Sequence, residues 1–190
     1  MLIHTLPFRS ISTFLLLIIL SVIQFGCGTQ SSQNSTGEKE PVVVFLVRHA
    51  EKVDSSKDPE LSEAGKKRAM ELVKTLKNAN IKYVHSSDYI RTRETAAPVA
   101  EEFGLTIEIY DPSNLEALAS KVKETSGNHL IVGHSNTTPK MVGLLGGDPV
   151  SKIEEKGEYD RIYKVTIAED GSVNSSLTRY GASYDTGMDN

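Results

Sequence analysis

The hydrophobic pattern alternates along most of the chain between two periods. Residues 42–47 form an unbroken, mostly β-branched apolar run, the pattern of a strand buried on both faces of a parallel sheet. After a polar loop over 53–60, Leu61, Ala69, Leu72, Val73 and Leu76 recur at helical spacing. They predict a helix over 63–79, with Ser62 as N-cap and Glu63 at its positive end. Gly65 in the first turn costs about 1 kcal/mol relative to alanine, which the close approach of another backbone would explain. Residues 81–85 predict a second strand, and Ser86-Ser87-Asp88 turns into a helix over 88–103. Gly104 suits its left-handed C-terminal position, while Pro98 should kink or split it. Strand 105–109, helix 112–124, strand 129–132 and helix 138–145 follow. The third helix carries Leu115, Leu118, Ala119 and Val122 on one face. A hairpin over 161–168 and 172–179 turns at Glu169-Asp170-Gly171. The expected fold is therefore α/β: a three-layer α/β/α sandwich on a mostly parallel central sheet, with an antiparallel strand near one edge.

The N-terminus does not join this pattern. Residues 11–25 are apolar and follow a single cation, Arg9. That length is short for a membrane span and suits a signal-peptide core. It ends in Gln24-Phe25-Gly26-Cys27, and a small residue before the chain's only cysteine resembles the lipobox of bacterial lipoproteins. An uncleaved anchor and an ordinary signal peptide are the alternatives. The expected organisation is a lipoprotein-type signal peptide over 1–26, with Cys27 carrying lipid, a flexible polar linker over 27–40, and one folded domain over 41–190. The protein is then exported and lipid-anchored in the bacterial cell envelope, facing the periplasm or the exterior. A lone cysteine forms no internal disulfide, so an oxidising compartment leaves the fold unchanged.

Composition narrows the partners. A formal net charge of −4 with no basic stripe argues against nucleic-acid binding. It leaves room for a small anion held by a few local cations.

Those cations cluster at predicted strand ends, where open α/β sheets bind ligands. The first strand delivers Arg48 and His49, the turn after the second leads to Arg91, and the fourth delivers His134. In a parallel sheet they share an edge. Guanidinium forks match phosphate oxygens, helix N-termini add donors, and a neutral imidazole can attack phosphorus. No Gly-rich phosphate loop, HExxH helix or zinc-spaced Cys/His cluster occurs, so no metal or cofactor is expected, and fixed arginine and histidine donors would stabilise the charge. His85 and His129 read as structural, Arg93 as a surface ion-pairing residue, and Lys52 as an exposed loop lysine. Tyr180 and Tyr184 read as rim or core.

FLVRHAEK resembles the RHG-type signature of the histidine phosphatase (phosphoglycerate mutase-like) superfamily. SSDYIRTRETA resembles its S-x-x-x-R-x-x-x-T-A segment, IVGHS its second-histidine segment, and LSEAGKKRA its L-[ST]-x-x-G helix start. The resemblance spans about residues 42–135. It implies that His49 becomes the phosphohistidine and that Arg48, Arg91 and His134 complete the phosphate-binding core. Ala50 stands where glycine is usual. The family's acids are missing: Ser135 and Asn136 follow His134, and no insertion follows the third strand. Glu51, nearest the nucleophile in sequence, is the candidate proton donor, with Asp111 and Glu116 as the others. The compact core implies a short, metal-independent phosphatase acting on a phosphorylated small molecule or a phosphohistidine protein. The rivals are a non-catalytic phosphate- or phosphoprotein-binding lipoprotein and a phosphoglycerate mutase-type phosphotransferase.

Overall fold

The computed structural model describes residues 40–184. The predicted signal peptide, Cys27 and all of the linker but Glu40 lie outside the described residues. Strand and helix alternate as β1 (Val42–Arg48), α1 (Glu63–Leu76), β2 (Ile81–Ser87), α2 (Ile90–Glu102), β3 (Ile107–Tyr110), α3 (Leu115–Glu124), β4 (Gly127–Gly133) and α4 (Thr137–Leu144). The hairpin β5 (Arg161–Ile167) and β6 (Val173–Arg179) closes the series. The six strands form one sheet in the order β3-β2-β4-β1-β5-β6. All neighbours pair parallel except β5, which runs against both β1 and β6. The reversed strand therefore sits one place from the edge, in agreement with the expected sandwich.

β1 is apolar from Val42 to Val47 because both its faces are covered. Val42, Val44 and Leu46 pack with Leu115, Leu118 and Met141 of α3 and α4. Phe45 and Val47 pack with Leu72 and Val99 of α1 and α2. Alternate strand residues point to opposite faces, so these two cores are the two interfaces of three layers.

Two helices depart from the sequence pattern. α1 begins as expected, with the Ser62 hydroxyl accepting the Gly65 N–H at 3.1 Å, but it stops at Leu76. The chain then reverses through Asn80 at φ 47°, a left-handed conformation that asparagine tolerates. α2 is not split: it runs as one helix through Pro98 from Ile90 to Glu102. Proline removes one backbone donor, and Ala96, Val99 and Ala100, all buried, hold the helix against the sheet on both sides of it. Gly104 takes the expected left-handed conformation.

Gly65 has the reason anticipated for it. A Cβ there would stand 2.3 Å from the carbonyl oxygen of Glu51, so only glycine lets α1 approach the turn after β1. Among the described residues no helix is long and apolar enough to cross a membrane.

Candidate active site

Strand register sets the site. Arg48 pairs with Gly133 across β1 and β4, and Ser86 with Val132 across β2 and β4, so the strands end nearly level. The next residues, His49, Ser87 and His134, emerge together at that edge. They open onto a cavity of about 530 Å³ lined by His49, Lys52, Arg91, His134, Ser135 and Glu155 among others. The two imidazoles meet edge-on, their centroids 5.4 Å apart.

His49 is almost wholly buried. Its Nδ1 lies 2.8 Å from the carbonyl oxygen of Ala50. A carbonyl only accepts, so Nδ1 carries the hydrogen and Nε2 keeps the lone pair. Burial, against the Ala50 hydrogen bond and with help from the charges of Arg48, His134 and Arg91, pushes its pKa down to about 3. The Ala50 carbonyl is steadied in turn, since the Ala50 N–H donates to the Thr95 hydroxyl at 2.9 Å. His134 is pulled to about 4, first by burial and then by Arg91 and Arg48. Its Nε2 stands 2.9 Å from the Ser87 hydroxyl. Both rings are neutral near pH 7.

The two arginines are clamped differently. Arg48 donates to the carbonyls of Glu154 at 3.0 Å, Glu158 at 3.2 Å and Glu155 at 2.9 Å, and its guanidinium lies over the Tyr159 ring at 4.1 Å. It does not line the cavity itself, yet its charge reaches both histidines. Arg91 lies over Tyr89 at 4.4 Å and pairs with Asp58 at 3.3 Å. Among the described residues three buried side-chain polar atoms lack a partner, and two are the Nε atoms of Arg48 and Arg91. A buried donor left unpaired costs about 1–3 kcal/mol.

Arg48, His49, Arg91 and His134 are thus gathered around one place. Glu51 is not, which corrects its reading as proton donor. Arg68 takes its carboxylate with Nε–H bonds of 2.9 and 3.0 Å and an Nη2–H bond of 2.8 Å, and the pair lines a different cavity between α1 and the C-terminal segment. Asp111 is bonded to Ser113, and Glu116 pairs with Lys140 at 3.1 Å; neither lines the His49 cavity. Lys52 does line it. His85 and His129 are buried and bonded to each other at 3.0 Å, Arg93 pairs with Asp88, and Tyr180 is buried.

Several contributors escaped the sequence reading. Ser87 and Thr95 stand in the Ser-x-x-x-Arg-x-x-x-Thr frame, a signal that spacing carried without assigning them roles. Asp58 and Glu155 come from irregular loops with no periodicity to mark them. Among the described residues no three His, Cys, Asp or Glu side chains are grouped to hold a metal ion.

Residues 44–112 match the family model of the histidine phosphatase superfamily (branch 1). That stretch holds Arg48, His49 and Arg91, while His134 and Glu155 lie beyond it. No curated protein sequence matches the chain. Solved structures similar in fold include the protein histidine phosphatase SixA complexed with tungstate. It is 21% identical, covers 72% of this chain and 96% of its own, and has a TM-score of 0.57. A phosphoglycerate mutase from Bacillus anthracis is 16% identical over 74% of this chain and 94% of its own, with a TM-score of 0.60. A mycobacterial glucosyl-3-phosphoglycerate phosphatase is 13% identical over 76% of this chain and all of its own, with a TM-score of 0.57.

Proposed function

The chain belongs to the histidine phosphatase superfamily, and from that premise we propose that it is a metal-independent phosphatase working through a phosphohistidine on His49. The observation that carries the reading is the state of that ring: Nδ1 is committed to the Ala50 carbonyl, leaving a neutral Nε2 nucleophile in a cavity lined by Arg91, with the charge of Arg48 also reaching the ring. His49 Nε2 attacks phosphorus, the ester P–O bond breaks, and the phosphoryl group rests on the ring. Water then attacks from the opposite side and phosphate leaves with overall retention. Arg48 and Arg91 neutralise the phosphoryl oxygens, and the charges of both already act on His49. His134, neutral and held by Ser87, completes the cradle.

The substrate class we infer is a phosphate monoester or a protein phosphohistidine. The solved structures described as a protein histidine phosphatase and a glucosyl-3-phosphoglycerate phosphatase support it. The withdrawal of Glu51 onto Arg68 favours one other reading, an anion-binding protein without turnover. Release of inorganic phosphate separates the two. The wild-type chain should hydrolyse p-nitrophenyl phosphate or a phosphohistidine peptide, and His49→Ala should abolish turnover while circular dichroism stays unchanged. A folded His49→Ala variant with near-normal rates would sink the mechanism. We further propose that Cys27 carries lipid and holds the enzyme in the envelope. Cys27→Ser should then move the protein from the detergent phase to the aqueous phase.

A further inference from the structure

Breaking an ester P–O bond leaves an electron pair on the departing oxygen, and an alkoxide is too basic to leave readily without a proton. Among the described residues, Glu155 is the one carboxylate that lines the cavity. Its Oε1 lies 3.2 Å from Arg48 Nη2, and its Oε2 accepts a hydrogen bond from the hydroxyl of Ser135. The carboxylate thus bridges the sequence neighbours of the two histidines.

Packing does not account for that placement. Three backbone carbonyls already accept from the Nη groups of Arg48, so the side-chain pair is not needed to hold the arginine. The Glu155 side chain is 65% exposed, and exposed ion pairs contribute about 0–1 kcal/mol. Nor is the carboxylate indifferent to the chemistry, since it faces the cations that an anionic substrate must engage.

Building on the phosphatase reading above, we propose that Glu155, on the loop between α4 and β5, is the proton donor to the leaving oxygen and the base for the water step. In the first step His49 Nε2 bonds to phosphorus and the P–O bond breaks. Its electron pair goes to the leaving oxygen, which takes the carboxyl proton of Glu155. In the second, water attacks phosphorus and its proton passes to the Glu155 carboxylate, while the P–N bond breaks with its pair returning to Nε2. The acid matters most for strongly basic leaving groups and little for p-nitrophenolate.

Glu155→Gln and Glu155→Asp, made in the full chain, test this on p-nitrophenyl phosphate and glycerol phosphate. The Gln variant should lose about 10²–10⁴ in kcat/KM on glycerol phosphate and less than about tenfold on p-nitrophenyl phosphate, with Asp restoring part of the alkyl-ester activity. Equal losses on both esters, unchanged rates, or faster turnover of both would overturn the assignment and leave the phosphatase reading standing. A wild-type chain inert towards both esters and a phosphohistidine peptide would overturn the phosphatase reading and this proposal together.

Discussion

His49 is suited to act as a nucleophile by what its neighbours leave it. The Ala50 carbonyl takes one ring nitrogen, burial and three nearby side chains keep the ring neutral, and the other nitrogen is left with its lone pair. Arg91 supplies charge from the cavity lining. Arg91→Ala should therefore lower kcat/KM by about 10²–10³ while the chain stays folded; a loss under tenfold would remove Arg91 from the phosphate site. Gly65→Ala sets two effects against each other. Helix propensity alone predicts a gain of about 1 kcal/mol, yet the new methyl would stand 2.3 Å from the Glu51 carbonyl. Overpacking of that kind costs about 1–3 kcal/mol or more, so the urea midpoint should fall, and activity with it, because the displaced turn carries His49. A higher midpoint would show that the turn yields freely.

At the scale of elements, α2 does more than present an arginine. Ser87 at the end of β2, Arg91 and Thr95 recur every four residues. They reach, respectively, His134, the cavity and the backbone beside His49. The frame was visible as a motif, but its roles were not, because a hydroxyl's partner depends on which strand end lies across from it. Thr95→Val nearly keeps the volume and strips the acceptor from the buried Ala50 N–H, at a cost of about 1–3 kcal/mol. Chemical denaturation should record that loss together with reduced turnover, and an unchanged rate would mean that the Ala50 turn holds itself. The loop between α4 and β5 is the opposite case. It has no apolar period to announce it, yet its carbonyls clamp Arg48 and it brings Glu155 to the cavity.

Across the whole molecule, neutral buried histidines link stability to pH. Burial lowers His49 to about 3 and His85 and His134 to about 4, and it lowers His129 as well. Unfolded histidines titrate near 6.5, so between about pH 6.5 and 4 the unfolded chain binds more protons and stability falls as pH falls. The depressed carboxylate of Glu158 acts in the same direction at lower pH. The urea midpoint should drop steadily from pH 7 to 4, and a flat or rising profile would show that these rings are charged in the fold. The strands, their mostly parallel direction and the four cationic and imidazole side chains were readable in the chain, because burial on one or both faces of an element imposes a period on its residues and strand ends carry the chemistry. The partner of each carboxylate was not. Glu51 lies two residues from His49 yet is captured by Arg68, while Glu155, more than a hundred residues away, lines the cavity. Short-range periodicity is a property of sequence, whereas the pairing of charges across the molecule depends on distances that only the packed layers set.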